Sequence, residues 1–174
     1  MAKRKKSTAG KMSIDDMRQM INKAAGMDVA HNLEKENPTD VKEWIPTGST
    51  WLDSIIKKGI KAGIPIGKVT ELAGLESTGK SYMALQIAAN AQRMGITVVY
   101  FDSESAIDSK FVEAIGVDVS KMIYIQPPSV EFVLQTIETL LESSENRMLF
   151  IWDSLAFTPA LSDVEGDFNP NSSM

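Results

Sequence analysis

One eight-residue segment constrains this chain more than any other feature of its sequence. Residues 74–81 read G-L-E-S-T-G-K-S and stand between a short apolar run, residues 69–73, and a helix-like stretch. Glycines let the backbone curl so that successive amide N–H groups point at phosphate oxygens, and the N-terminus of the following helix adds positive potential. The alternative, a glycine-rich solvent turn, is disfavoured by the flanking strand and helix patterns. The segment therefore predicts a phosphate-binding loop between a strand and a helix.

The octet assigns a part to each of its positions. Lys80 would reach the terminal phosphates of a nucleotide, and the Ser81 hydroxyl would be a magnesium ligand. The predicted nucleotide-binding residues are Gly74, Leu75, Glu76, Ser77, Thr78, Gly79, Lys80 and Ser81.

Strands and helices are predicted to alternate after the octet. Apolar runs at residues 96–101, 122–125 and 148–152 are typical of buried parallel strands. Helices are predicted from Tyr82 to near Gly95, around residues 111–115 before Gly116, and over residues 130–141. This alternation indicates an α/β fold with a parallel sheet flanked by helices, in which a ligand binds at the carboxyl ends of the strands.

Carboxylates stand where two of these strands end. Asp102-Ser103-Glu104 follows one strand and Asp153-Ser154 follows another, so both groups are expected to converge with the phosphate loop at one edge of the sheet. Glu104 would orient and deprotonate an attacking water, which makes Glu104 and Lys80 the predicted catalytic residues. The alternative for Glu104 is that it only caps the next helix. Asp153 would support the magnesium shell, although an apolar run followed by Asp is common in α/β proteins.

A separate helix is predicted near the N-terminus. Ser13 is a predicted N-cap with Asp15 and Asp16 in the first turn, and Gly26 ends the helix. Its apolar stripe consists of Ile14, Met17, Met20, Ile21 and Ala24. Because one amphipathic helix cannot bury its own stripe, it must pack either on the core of this chain or on a neighbouring subunit. Residues 1–43 are therefore predicted to hold a basic leader, an oligomerisation helix and a linker, and residues 44–174 the α/β core.

Charge and composition narrow the class of protein. The net charge is −5, but the first eleven residues carry five of the 18 basic side chains and no acid, which leaves 13 basic against 23 acidic residues. Such a basic tail either contacts nucleic-acid phosphates or is a solubilising terminus. The chain has no cysteine, as in reducing compartments, and lacks an apolar run near the roughly 20 residues of a membrane helix. A cytoplasmic protein without a membrane partner is expected.

Several motifs together resemble one family. They are T-G-S at residues 47–49 with L-D at 52–53, G-I-P-I-G-K at 63–68, the octet, F-D-S-E-S-A-I-D at 101–108, G-V-D-V at 116–119, and W-D-S-L-A-F-T-P-A-L-S-D-V-E-G-D at 152–167. Their order and spacing resemble bacterial RecA and its phage-encoded relatives over about residues 46–174. Leu75, Ser81 and Phe111 depart from the usual Pro, Thr and Tyr of bacterial members. These departures and the basic leader favour a phage source.

The resemblance implies an α/β P-loop NTPase of RecA type, with ATP and Mg2+ as cofactors. In this family Asp108 would face the adenine amino group and Phe111 would stack on the adenine ring. The implied function is that of a DNA-dependent ATPase and recombinase, which forms filaments on single-stranded DNA and promotes pairing and strand exchange with duplex DNA. It would act in the cytoplasm of a bacterial cell or a phage-infected host.

The last residues resemble the start of the family's first DNA-binding loop. The predicted DNA-binding residues are Asn169, Asn171, Ser172 and Met174. The rest of the family core would follow, so the core is expected to be incomplete at its C-terminal side, either as a fragment or as an interrupted coding sequence. Two alternative functions stay open: a hexameric DNA helicase or clock-type ATPase on the same core, and a non-hydrolysing truncated adaptor that caps filaments.

Overall fold

Two units make up the chain, residues 1–41 and residues 42–174. The computed structural model describes residues 11–35 and 37–165. The four predicted DNA-binding residues, Asn169, Asn171, Ser172 and Met174, lie outside this described part.

The first unit contains the predicted N-terminal helix, α1 (Ile14–Ala25). The Ser13 hydroxyl accepts a hydrogen bond from the Asp16 N–H at 3.1 Å, and the Asp16 carboxylate accepts from the Ser13 N–H, which forms a capping box. Gly26 ends the helix in the left-handed conformation, with φ 70°. No residue of α1 is buried, and Ile14 is 69% exposed. The helix prediction is confirmed, and its apolar stripe faces solvent.

The second unit is an α/β fold, as predicted. Its elements in chain order are β1 (Trp44–Ile45), α2 (Thr50–Ile56), β2 (Ile64–Pro65), α3 (Lys80–Arg93), β3 (Thr97–Asp102), α4 (Ser109–Ile115), β4 (Met122–Ile125), α5 (Val130–Ser143), β5 (Met148–Asp153) and α6 (Leu161–Glu165). Strands β4, β3 and β5 form a parallel sheet in that order, with β3 in the centre. The antiparallel pair of β1 and β2 forms a second, two-stranded sheet.

Helices cover both faces of the parallel sheet, so β3 is buried on both sides, which explains why its sequence is continuously apolar. Val98 and Tyr100 of β3 point into a core with the apolar sides of α3 and α4. Val99 and Phe101 point to the opposite face and pack with Val133 of α5. Because successive strand residues alternate between faces, a strand buried on both sides requires apolar residues at every position.

Residues 69–73 do not form the predicted strand. They have no regular secondary structure, and Val69 is fully exposed. A strand needs a neighbour to accept and donate its backbone hydrogen bonds, and no strand within residues 11–35 and 37–165 pairs with this segment. The prediction was therefore wrong for the described chain, and the phosphate loop follows an extended segment instead of a strand.

The sheet of β1 and β2 was not predicted, since each strand has only two residues. Trp44 pairs with Pro65 and Ile45 pairs with Ile64. The T-G-S motif follows β1 and is held by the buried carboxylate of Asp53, which accepts hydrogen bonds from the Thr47 N–H at 2.9 Å and hydroxyl at 2.7 Å. This motif therefore fixes α2 against the end of β1.

Gly63 should be essential for this small sheet. It has φ +100°, and a Cβ at this position would lie 2.0 Å from the Ile45 carbonyl oxygen. We expect Gly63→Ala to lower the free energy of unfolding by more than about 3 kcal/mol, since backbone must move to relieve the clash. Urea unfolding measures this change.

The matched control is Gly67→Ala. Gly67 also has positive φ, +78°, but a Cβ there would meet nothing within 4 Å. Gly67→Ala should lower the free energy of unfolding by only about 1–2 kcal/mol, the strain of a non-glycine residue in the left-handed conformation. Equal destabilisation by the two substitutions would contradict the predicted clash at Ile45.

Candidate functional site

The loop of residues 74–81 leads into α3 without a side-chain cap. The N-cap is Gly79, with φ 90°, and no side chain bonds to the amides of the first turn. The other helices of at least seven residues begin at a Ser or Asp whose side chain accepts such a bond, namely Ser13, Ser49, Asp108 and Ser129. The free N–H groups and the helix dipole of α3 therefore remain available to an anion.

Lys80 folds back over this loop. Its ammonium donates to the carbonyl oxygens of Gly74, at 3.1 Å, and Leu75, at 2.9 Å. The Thr78 hydroxyl also donates to the Leu75 carbonyl, at 2.7 Å. A Cβ on Gly74 would come within 3.0 Å of the Thr78 hydroxyl, so the loop curls tightly at this point. The positive charge of Lys80 is thereby held at the loop, where phosphates would bind.

The other residues of the octet line the same exposed loop. Glu76 and Ser77 are at its exposed tip, and Ser77 has positive φ, 58°. Two left-handed residues, Ser77 and Gly79, give the loop backbone the kind of turn found in anion-binding nests. Ser81 is half-buried in the first turn of α3, directly after Lys80.

The ends of β3 and β5 meet side by side. Asp102 and Asp153 are partners in the parallel register. Beyond them, the Ser103 hydroxyl donates to the Ser154 carbonyl at 2.7 Å and accepts from the Ser154 N–H at 2.9 Å. The Asp153–Ser154 peptide bond is cis. The two strand ends form one hydrogen-bonded unit, as expected from the carboxyl-edge argument.

Glu104 is held by this unit. Its Oε1 accepts a hydrogen bond from the Ser154 hydroxyl at 2.9 Å, and its N–H donates to Asp102 Oδ1 at 3.1 Å. The side chain is otherwise exposed to solvent. The alternative that Glu104 caps the next helix was wrong, because Asp108 is the N-cap of α4 and accepts from the Phe111 N–H at 3.0 Å.

Asp153 is fixed by a buried tyrosine. The Tyr100 hydroxyl donates to Asp153 Oδ2 at 2.7 Å. Burial, and then the bond to Asp153, raise the pKa of Tyr100 well above its usual value. The hydroxyl therefore stays protonated and keeps one carboxylate oxygen of Asp153 occupied.

Asp102 organises the turn between β3 and α4. Its carboxylate accepts from the Tyr124 hydroxyl at 2.9 Å, and from the Ala106 and Ile107 N–H groups at 3.3 and 3.4 Å. Burial and this bond raise the pKa of Tyr124. Sequence reasoning placed Asp102 at the strand end but missed this structural role. No local signal pointed to this bond, because Tyr124 is 41% exposed and its sequence position alone does not indicate a partner for its hydroxyl.

A second tether joins the chain beyond β5 to the same unit. The Trp152 indole N–H donates to the Thr158 hydroxyl at 2.7 Å, and that hydroxyl donates to the Ser154 carbonyl at 3.0 Å. The short turn Leu155–Phe157 lies between these partners. Ser154 is therefore bonded on both sides, to Glu104 and to the segment that follows β5.

In the structure, the predicted site residues fall into two groups. Glu104 and Asp153 belong to the strand-end unit, whereas Lys80 and Ser81 belong to the loop and the start of α3. In the described residues, no side-chain hydrogen bond connects one group with the other. Helix α3 packs on both β3 and β5, so the loop and the strand ends belong to one packed unit.

Asp108 and Phe111 mark a third position, at the start of α4. Asp108 Oδ1 is used as the helix cap, and Phe111 is 40% exposed. The Tyr82 ring of α3 lies 6.5 Å from the Phe111 ring, centroid to centroid. Sequence reasoning did not single out Tyr82.

The donor set suits a magnesium ion that is bound mainly by phosphates and water. No group of three or more His, Cys, Asp or Glu side chains in the described part could hold a metal ion by itself. Mg2+ commonly takes one or two protein oxygens and obtains the rest from phosphates and water. Ser81 and Asp153 would be the two protein residues in this role, as the sequence predicts.

Comparison with known proteins gives the family. A sequence model of the RecA N-terminal domain matches residues 12–173. The chain belongs to the RecA family. The RecA-family resemblance seen in the motifs is therefore confirmed, over nearly the whole chain.

Curated RecA-family relatives match at about one third identity. Protein RecA of Symbiobacterium thermophilum is 33% identical over 162 residues, 93% of this chain and 44% of that protein. Protein RecA of Streptomyces avermitilis is 37% identical over 132 residues, 76% and 34%. Protein RecA of Lactobacillus delbrueckii subsp. bulgaricus is 32% identical over 167 residues, 96% and 48%. The chain spans less than half the length of these relatives.

One further feature concerns membranes. Among the residues that the structure describes, no helix is both long and apolar enough to cross a bilayer.

The raised pKa of Tyr100 predicts how stability changes at alkaline pH. An unfolded tyrosine loses its proton near pH 10, whereas folded Tyr100 keeps its proton to higher pH. Its contribution to stability is therefore complete below about pH 10 and falls above it, by about 1.4 kcal/mol per pH unit. We expect Tyr100→Phe to remove this part of the slope, measured by urea unfolding between roughly pH 9 and 11.

Tyr124→Phe is a useful comparison, since its pKa is raised in the same direction. It should remove a further part of the alkaline slope. If the wild type and Tyr100→Phe lose stability equally steeply above pH 10, the pKa of folded Tyr100 is not raised as described.

Proposed function

We propose that this chain is the nucleotide-binding part of an ATP-dependent DNA recombinase. The observation that carries the proposal is the uncapped start of α3 after the octet, with Lys80 held at the loop, in a chain of the RecA family. The curated relatives are named Protein RecA. The protein would bind single-stranded DNA as a filament, pair it with homologous duplex and act in recombination and repair, in the cytoplasm of a bacterium or a phage-infected host.

ATP with Mg2+ supplies the phosphoanhydride bond whose hydrolysis the site would catalyse. The loop amides and Lys80 bind the phosphates, Ser81 is a metal ligand, and Asp153 supports the metal shell through water. Glu104 orients the attacking water and takes its proton. The bond from Ser154 supports this role, because it fixes one oxygen of Glu104, while none of the described residues bonds to the other. Asp108 and Phe111 bind the adenine.

Residues 1–43 would supply the oligomerisation element, and residues 44–174 part of the ATPase core. The exposed apolar stripe of α1 supports docking on a neighbouring subunit, because every large apolar side chain in it is at least 44% exposed. Residues Asn169, Asn171, Ser172 and Met174 would contact DNA. Nucleotide binding would then couple to DNA binding by shifting the protein between two arrangements.

Glu104→Gln tests the catalytic assignment. The amide keeps the size of the side chain and can accept the Ser154 bond, but it cannot take a proton from water. We expect ATP turnover to fall by at least about 100-fold, while the dissociation constant for ATP changes little. Phosphate release and calorimetric titration measure the two quantities, with and without single-stranded DNA.

Lys80→Ala is the comparison for binding, since it removes the charge at the loop and should weaken ATP binding itself. Unchanged turnover in Glu104→Gln would remove Glu104 from the mechanism. Failure of the wild type to bind ATP would refute the function proposed for this chain. DNA should raise the turnover of the wild type.

Removing residues 1–43 tests the oligomerisation element. We expect this truncation to weaken filament formation on single-stranded DNA much more than ATP binding, because the octet and the sheet lie in the other unit. Electron microscopy reports the filaments, and calorimetric titration reports ATP binding.

Point variants in α1 give a matched control. Met20→Ser changes the exposed apolar stripe, whereas Gln19→Ser changes the neighbouring polar position of the same helix. Only Met20→Ser should reduce filaments. Undiminished filaments after truncation would refute docking by α1, and closed rings on DNA would favour the helicase or clock-type ATPase.

A further inference from the structure

We propose that Tyr82 is a base-recognition residue, which together with Phe111 contacts the purine of a bound nucleoside triphosphate. This inference rests on the proposed function, because it concerns the same nucleotide. It adds a residue that lies outside the octet and outside the family motifs quoted above.

The position of Tyr82 in the chain places it beside the phosphate site. Ser81 is the last residue of the octet, and Tyr82 follows it in the first turn of α3. Phe111 is in the first turn of α4, which packs against α3. The two rings lie 6.5 Å apart between centroids, with 49° between their planes. Tyr82 thus connects the phosphate end of the site with the aromatic ring proposed to bind the base.

The exposure of both rings favours a ligand contact over a packing contact. Tyr82 is 47% exposed and Phe111 is 40% exposed, whereas Tyr100 and Phe101 of the core are fully buried. Because the rings are tilted and not stacked on each other, their exposed faces remain available to a base. Each ring would then bury against the base apolar surface that is otherwise exposed to water.

A cavity lies at the start of α4. Its volume is about 320 Å3, and its lining consists of Ile107, Asp108, Ser109, Val112 and Tyr124, without Tyr82 or Phe111. This volume is at the lower end of the usual range for ligand pockets, about 300–1,000 Å3. The cavity therefore provides room at the start of α4, close to Phe111 in the chain, for part of a bound ligand.

The Tyr82 hydroxyl is oriented by a neighbour on the same helix. Gln86 Nε2 donates to it at 3.2 Å, one turn further along α3. A phenol oxygen that accepts this bond keeps its own proton for donation. The ring should therefore provide most of the affinity by stacking, and the hydroxyl a smaller polar contact.

The experiment separates the base from the phosphates. Calorimetric titration in the presence of Mg2+ compares ATP with inorganic tripolyphosphate, which has the charged groups of the nucleotide but no base. We expect Tyr82→Ala to weaken ATP binding roughly 5- to 100-fold, the usual range for loss of one aromatic–base stack. Tripolyphosphate binding should be unchanged. Tyr82→Phe, which keeps the ring, should stay within about threefold of the wild type for ATP.

Phe132→Ala is the matched control. Phe132 is an aromatic residue of α5 with nearly the same exposure, 41%, but it belongs to the helix on the other face of the sheet. Phe132→Ala should change the affinity for neither ATP nor tripolyphosphate. Thermal unfolding checks that each variant is folded, and Tyr82→Leu replaces Tyr82→Ala if the smaller side chain prevents folding.

Two results would overturn the inference alone. ATP binding that is unchanged in Tyr82→Ala or Tyr82→Leu would make the aromatic pair a packing contact between α3 and α4. Equal losses for ATP and tripolyphosphate would mean that Tyr82 acts through the loop and not on the base. If the wild type bound neither ligand, the proposed function and this inference would both fail.

Discussion

The parallel pairing of β3 with β5 is the constraint on which the candidate site depends. It sets Asp102 and Asp153 side by side, and the next residues, Ser103 and Ser154, bond to each other directly beyond the last strand pair. Because β3 is buried on both faces and paired on both edges, its end is one of the most fixed points of the structure. A carboxylate attached to such a point can be oriented without support from a long loop.

The two aspartates at the strand ends, Asp102 and Asp153, differ in their hydrogen-bond partners. Each accepts a hydrogen bond from a tyrosine, Tyr124 for Asp102 and Tyr100 for Asp153. The tyrosines keep their protons, since burial disfavours phenolate beside a carboxylate. Asp102 also accepts hydrogen bonds from backbone amides, whereas Asp153 has fewer partners, which supports its proposed role in the metal shell. The structure thus separates two acids that look alike in sequence.

Much of the fold could be predicted from local patterns. The helix that begins after Ser13, the helix over residues 130–141 and the strand at residues 122–125 were found because caps and apolar runs are local signals. Residues 69–73 show the limit of this reasoning. Their composition suits a strand, but strand formation depends on a partner that the sequence of the segment cannot specify, and within the described residues they have none.

The candidate site was predictable to a similar extent. The octet and the strand-end acids follow from short motifs, so Lys80, Glu104 and Asp153 could be named in advance. Contacts between distant segments could not, since nothing local announces that Ser154 bonds to Glu104, 50 residues earlier in the chain, or that Tyr82 meets Phe111. Such pairs depend on register and helix packing, which are set by the whole sheet.

Ser154 has a mechanical consequence beyond its bond to Glu104. Its carbonyl accepts from Ser103 and from Thr158, so a single residue joins both strand ends and the segment after β5. A displacement of that segment would therefore be transmitted to Ser154. It must either break the Thr158 bond or pull on the residue that orients Glu104, which makes Ser154 a rigid coupling between the chain beyond the sheet and the proposed hydrolytic carboxylate.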